Sequence, residues 1–166
     1  YSQTNPVQPG FKTEIAKQFP IWLDEIDAGV SAIENNGKVD SRHIALIGFS
    51  LGAYLAMSYG ASHPGNIAAI VEYYGGLPPV FDPQAARMPP TLILHGDADI
   101  LVPLAEARRL DALLTRAGRP HEMHVYPGGS HAFNFETAPM WYDPNYAKDA
   151  WDRTLAFLGK YLDKQR

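Results

Sequence analysis

Hydrophobic residues recur at two different spacings along the chain, and the spacing predicts which segments are helices and which are strands. From Phe11 to Ile33 apolar side chains recur every three or four residues, which is typical of an amphipathic helix. Pro20 interrupts this pattern, so it either kinks one helix or begins a second. Residues 1–10 are predicted to form a loop. Asn35–Gly37 ends the helical pattern with residues that tolerate a left-handed backbone.

Four short apolar runs predict buried β-strands, at His43–Ile47, Ile67–Tyr74, Thr91–His95 and His121–Tyr126. The segments that follow them are, in order, a helix over Ala53–Met57, a proline-rich loop over Leu77–Pro90, a helix from Pro103 to Gly118, and a last helix from about Tyr146. Strands that alternate with helices predict an α/β fold, in which helices cover both faces of a parallel sheet.

Composition excludes several functional classes. The 166 residues suit one domain, and 46% hydrophobic with 19% charged residues is an ordinary globular composition. A net charge of -4 gives no reason to expect nucleic acid or an anionic membrane as a partner. The absence of cysteine excludes disulfides, thiolate metal sites and a cysteine nucleophile. No signal peptide is visible, which favours the cytoplasm, although without an initiator methionine the natural start is expected to be missing.

The pentapeptide Gly48-Phe49-Ser50-Leu51-Gly52 lies between the first predicted strand and the helix after it. Gly-x-Ser-x-Gly in a strand–turn–helix setting predicts a nucleophile elbow, with Ser50 at its apex. We expect positions 48 and 52 to lack a Cβ because so tight a turn brings neighbouring atoms into contact. The start of the helix would aim backbone N–H groups at an anion formed there. The alternative is an ordinary strand-to-helix turn.

Further polar residues follow the third and fourth strands. Asp97 and Asp99 come after the third strand and His131 after the fourth, so all lie at the edge where parallel strands place their active sites. A serine hydroxyl needs an imidazole to take its proton, and the imidazole needs a carboxylate to orient it. We favour Asp99 as that carboxylate, since Asp97 is expected to hydrogen-bond within its own turn.

The remaining histidines fit the site less well. His95 lies at the correct end of its strand but leads directly into the acidic loop, so it is predicted to be structural. His121 and His124 are three positions apart on one strand and point to opposite faces, so they cannot readily share a metal ion.

Taken together, these motifs resemble the dienelactone hydrolase branch of the α/β-hydrolases. The matching segments are Gly48–Gly52, Tyr73–Gly75, Leu94–Pro103, Tyr126–Phe133 and the final helix around Ala150–Leu158. The resemblance implies Ser50 as nucleophile, Asp99 as acid, His131 as base and the Leu51 amide as one oxyanion donor. It also implies that no metal or organic cofactor takes part.

The chain departs from the family pattern at two site positions. Dienelactone hydrolases proper have cysteine at the elbow where this chain has Ser50, and an arginine four residues after the histidine where it has Phe135. An ester with an apolar or aromatic acyl group therefore fits better than an anionic lactone. Tyr74, Phe133 and Trp141 are the candidate pocket walls, although each could equally be core packing.

The resemblance also implies strands ahead of the elbow, one of them followed by the loop that donates a second oxyanion N–H. Only one helical region precedes the elbow strand here. The chain is therefore expected to be the C-terminal part of the full fold, completed by a preceding segment or a second chain, unless the fold is a reduced one.

The sequence thus predicts a serine hydrolase that cleaves small to medium carboxylic esters and needs no cofactor. Its expected partner is a small-molecule ester. One alternative is a serine peptidase like prolyl oligopeptidase, which shares this half of the fold. The other is a non-catalytic binding module, although such a module has no physical need for Ser50, Asp99 and His131 together.

Overall fold

Four parallel strands form one sheet in the computed structural model, which describes residues 9–40 and 43–163. The strands pair in sequence order, as β1 (Ala45–Phe49), β2 (Ala69–Tyr73), β3 (Thr91–Gly96) and β4 (His121–Tyr126). Because all run in one direction, their carboxyl ends meet at one edge of the sheet. The predicted α/β fold with a parallel sheet is confirmed.

Four helices cover the two faces of this sheet. They are α1 (Pro9–Glu34), α2 (Leu51–Ser62), α3 (Leu104–Arg116) and α4 (Pro144–Leu162). The first three share one buried cluster with strand residues that include Ile70 and Ile93. α4 packs on the opposite face against a second cluster that includes Val71 and Leu94. Ile70 and Val71 are consecutive but belong to different clusters, because alternate side chains of β2 point to opposite faces of the sheet.

The N-terminal helix differs from its prediction at two points. α1 continues through Pro20 as one helix, so this proline does not begin a second. Pro9 and Gly10 belong to α1 rather than to the predicted loop, whose other residues lie outside the described ones. The helix continues through Pro20 because its apolar side chains, including Leu23 and Ile26, pack against the core.

Two other segments also differ from the sequence-based prediction. A 3₁₀ segment, Pro79–Arg87, occupies most of the predicted loop between β2 and β3, with proline in its first turn. α4 begins two residues before Tyr146, because the Asp143 carboxylate accepts the N–H groups of Asn145 and Tyr146.

The two outer strands of the described sheet are β1 and β4. The expectation that a preceding segment or a second chain completes the fold stays a prediction. Over the described residues, no helix combines the length and the apolar character that a membrane crossing requires.

Candidate active site

Ser50 occupies a sharp turn between β1 and α2. Its backbone is left-handed at φ 52°, and its N–H donates to the carbonyl of Tyr73 on the neighbouring strand at 3.0 Å. A Cβ at Gly48 would overlap the backbone of Gly52 and Ala53, so the turn requires glycine there. The same expectation for Gly52 is wrong, since beyond its chain neighbours and the backbone of its own helix no atom lies within 4 Å of the place where its Cβ would be.

His131 reaches this turn from the loop after β4. Its Nε2 atom lies 2.9 Å from Ser50 Oγ, and its Nδ1 atom lies 2.8 Å from Asp99 Oδ2. A carboxylate accepts only, so Nδ1 carries the proton and Nε2 is left free to accept the Ser50 hydroxyl. The three side chains predicted from sequence therefore form one hydrogen-bonded chain.

The Asp99 carboxylate is held from both sides. Oδ1 accepts the N–H groups of Leu101 and Val102, both at 2.8 Å, while Oδ2 faces His131. Burial acts to raise the pKa of Asp99, but the hydrogen bonds from His131 and the two amides outweigh it and hold that pKa below its usual value. The carboxyl group therefore stays ionised beside the imidazole at neutral pH.

Asp97, the competing acid, has a different partner. Its side chain is exposed, and Oδ1 accepts the N–H of Gly128 in the turn after β4. Its hydrogen bond thus joins two loops and does not stay within its own turn as predicted. Asp97 thereby holds the His131 loop to the Asp99 loop.

His95 supports the acidic loop from inside the protein. The side chain is fully buried, and Nε2 lies 2.9 Å from the carbonyl of Val102 and 3.6 Å from Asp99 Oδ2. Since a carbonyl only accepts, Nε2 carries the proton. Burial lowers the pKa of His95 and so favours its neutral form. These contacts fit the structural role predicted for it.

Left-handed backbone at non-glycine residues is concentrated around this site. Among the described residues these are Ser50, Tyr74 at φ 41° and Ala132 at φ 57°. Tyr74 packs its ring 4.6 Å from the imidazole of His131, and Ala132 directly follows that histidine. Such conformations cost about 1–3 kcal/mol each and persist only where the surroundings hold them firmly.

The candidate pocket walls lie in different environments. Phe133 is fully buried and Tyr74 is 1% exposed, so both pack in the core, with the Tyr74 hydroxyl donating to Asn134 Oδ1 at 2.7 Å. Trp141 is 37% exposed and stands perpendicular to the imidazole of His131, with the ring centres 6.4 Å apart. Of the three aromatic residues, Trp141 alone offers a surface to a substrate.

Two more elements bear on the chemistry of the site. Leu51 is the first residue of α2, where a backbone N–H has no acceptor within its own helix. No group of three or more His, Asp or Glu side chains that could hold a metal ion occurs in the described part of the chain.

Glu72 lies fully buried in β2, one residue before the carbonyl that receives the Ser50 N–H. Its Oε2 atom accepts the N–H of Gly75 at 2.8 Å, and Oε1 has no partner among the described residues. Burial raises the pKa of Glu72 to about 8, against the opposing effect of the Gly75 hydrogen bond. Sequence reasoning missed this residue, although a single charge inside an apolar strand was a visible signal.

The raised pKa of Glu72 makes stability depend on pH. Between pH 4.5 and about 8 the folded protein keeps a proton that the unfolded chain has released. Each unit of rising pH therefore lowers the free energy of unfolding by up to about 1.4 kcal/mol. Glu72→Gln removes this titration while its amide oxygen still accepts from Gly75. Between pH 6 and pH 8, the free energy of unfolding should fall by about 2–3 kcal/mol less in this variant than in the parent, as measured by urea denaturation.

The exposed Glu25 of α1 provides the control for this comparison. Glu25→Gln should leave the pH dependence of the parent unchanged. If Glu72→Gln and the parent lost stability in parallel over this pH range, Glu72 would not be the group responsible.

Three comparisons with known proteins agree on a family. The model of the dienelactone hydrolase family matches residues 9–162. A protein of Methylorubrum extorquens, provisionally named a carboxymethylenebutenolidase, is 30% identical over 151 residues, which are 84% of this chain and 50% of that protein. The crystal structure of a Klebsiella pneumoniae protein, provisionally described as a dienelactone hydrolase, superimposes with a TM-score of 0.73 at 28% identity, covering 84% of this chain and 60% of that one.

A more distant structure shows the same fold. The dienelactone hydrolase-like promiscuous phosphotriesterase P91 from metagenomic libraries gives a TM-score of 0.79 at 20% identity, over 90% of this chain and 65% of its own. The chain spans about half the length of the Methylorubrum protein and three fifths of the Klebsiella protein. The family match covers nearly every described residue, including the elbow, the acidic loop and the histidine loop. The chain therefore belongs to the dienelactone hydrolase family and has the α/β-hydrolase type of fold.

Proposed function

We propose that this chain is a serine hydrolase that cleaves small to medium carboxylic esters through an acyl-enzyme. The observation that carries the proposal is the hydrogen-bonded chain from Ser50 Oγ through His131 to Asp99. Family membership supports hydrolytic chemistry in general. The serine at the elbow supports an oxygen nucleophile within that chemistry.

The reaction follows from the positions of the protons. Nε2 of His131 accepts the hydroxyl proton as Ser50 Oγ attacks the ester carbonyl, and Asp99 stabilises the imidazolium that forms. The Leu51 N–H stabilises the negative charge that develops on the carbonyl oxygen. His131 then returns the proton to the leaving alcohol. Water, activated by the same imidazole, releases the acid from Ser50.

The names of the relatives bear on the substrate. A carboxymethylenebutenolidase acts on a cyclic ester, and a serine nucleophile opens cyclic and linear esters by the same steps. Phe135 stands four residues after His131, where the resemblance would place a carboxylate-binding arginine. We therefore place the substrate among uncharged esters.

Covalent labelling tests the nucleophile directly. A fluorophosphonate should add once to the protein in intact-mass analysis, because Ser50 is activated by His131. Ser50→Ala should abolish the adduct, whereas Ser62→Ala, at an exposed serine of the same helix, should not. No adduct on the folded protein, or an adduct that persists in Ser50→Ala, would refute the proposal. Hydrolysis of 4-nitrophenyl acetate but not of a dipeptide amide would separate the esterase from a peptidase.

A further inference from the structure

An apolar surface lies beside the candidate base, on the segment that follows His131. Met140 is 91% exposed, Phe135 43% and Trp141 37%, although large apolar side chains are usually covered. Ala138, Pro139, Met140 and Trp141 line a hollow of about 240 Å³. We refer to these four residues as the Trp141 hollow.

Backbone hydrogen bonds hold this segment in place. The N–H of Ala138 donates to Phe135, that of Trp141 donates to Ala138, and that of Asp143 donates to the carbonyl of buried Phe133 at 2.8 Å. These bonds fix the backbone of the hollow, and one of its lining residues, Trp141, has its ring beside the imidazole. Its end is anchored at the residue that caps α4.

The reaction determines which part of an ester meets this wall. The leaving oxygen must come within hydrogen-bonding distance of His131 Nε2 to receive its proton. Tyr74 covers the imidazole on its buried side and Asp99 covers Nδ1. Trp141 is 37% exposed, and its ring centre lies 6.4 Å from that of the imidazole. The alcohol portion of the ester is therefore the part that lies against Trp141.

The chemistry of the hollow disfavours an anionic alcohol. No lysine or arginine occurs between Pro127 and Ala147, and the charged side chains in that stretch are Glu136 and Asp143. Glu136 accepts the hydroxyl of Tyr142, and Asp143 caps α4. An anionic group would therefore lose its hydration without gaining a partner. An apolar cavity of about 150 Å³ already holds a benzene molecule, so the hollow has room for an aromatic ring.

We propose that the Trp141 hollow binds the leaving alcohol and makes this protein selective for esters of uncharged aryl or medium-length alkyl alcohols. The inference rests on the proposed function and adds to it the class of the leaving group. Trp141 is the residue that determines this selectivity.

Acetate esters test the proposal because they share one acyl group and one deacylation step. We expect Trp141→Ala to lower kcat/KM for phenyl acetate about tenfold or more, since an apolar contact is lost in acylation, and to change methyl acetate less than about twofold. Trp151→Ala, at an exposed tryptophan of α4, should leave both values unchanged. In the parent, the anionic ester 4-acetoxybenzoate should have a kcat/KM at least about tenfold below that of phenyl acetate.

The outcomes separate the inference from the function on which it rests. An equal loss on phenyl and methyl acetate, or no loss on either, would overturn the inference while the ester hydrolase stands. Equal use of 4-acetoxybenzoate and phenyl acetate by the parent would overturn it as well. A parent that hydrolyses no acetate ester and takes no fluorophosphonate refutes the proposed function and the inference with it.

Discussion

Replacing His131 by alanine is expected to lower kcat for ester hydrolysis by about 10⁶-fold, because Ser50 then has no base to take its proton. Asp99→Asn should lower kcat by about 10⁴-fold, because an amide can donate to Nδ1 and favour the wrong tautomer of the imidazole. The measurement is the initial rate with 4-nitrophenyl acetate, after circular dichroism has shown that each variant is folded.

A second histidine provides the control for this prediction. His124 lies on β4 and its Nε2 atom is 3.7 Å from Asp149 of α4, so His124→Ala should keep the parental rate. The double variant His131→Ala/Asp99→Asn should be no slower than His131→Ala alone, since residues that act as a unit are not additive. Losses that multiplied in the double variant would show that Asp99 does not act through His131.

Gly96→Ala is expected to lower the free energy of unfolding by about 3 kcal/mol or more, or to prevent folding. Gly96 ends β3, and a Cβ there would overlap the carbonyl group of Gly129 in the loop that carries His131. That overlap involves backbone on both sides, so no side-chain rotation relieves it. Urea denaturation followed by circular dichroism measures the change.

The control glycine for this variant lies in α1. A Cβ at Gly29 would meet no atom within 4 Å, so Gly29→Ala should raise the free energy of unfolding by about 0.5–1 kcal/mol through its helix propensity. Equal stability of Gly96→Ala and the parent would mean that the two loops are not packed as closely as the structure shows.

The three side chains of the Ser50–His131–Asp99 hydrogen-bonded chain could be brought together from sequence because each follows a strand that its apolar run identifies. Ser50 directly follows β1, Asp99 is the second of two aspartates after β3, and His131 is the first histidine after β4. Parallel strands bring such residues to one edge of the sheet. The fold class followed from the same alternation of strands and helices.

Features that depend on packing between distant segments could not be predicted in this way. The contact of Asp97 with Gly128 joins residues 31 positions apart, and the left-handed backbone of Tyr74 has no signature of its own in the sequence. The burial of Phe133 and Tyr74 has the same origin, because an aromatic residue near a motif suits a pocket or a core equally well. The error at Gly52 came from assigning one steric reason to both glycines of the elbow.

The proposed nucleophile and base come from opposite edges of the sheet, and this has a consequence for folding kinetics. Ser50 and Nε2 of His131 are 81 residues apart in sequence, and they meet only after both outer strands have joined the two central ones. Contacts between such distant residues carry the largest loop-closure cost, so they form late. In a chain whose β4 has not yet paired with β3, Ser50 would have no imidazole beside it and would be an ordinary alcohol. Under the proposed mechanism, reactivity would therefore appear only once β4 has joined the sheet, and a chain short of that stage would form no acyl adduct.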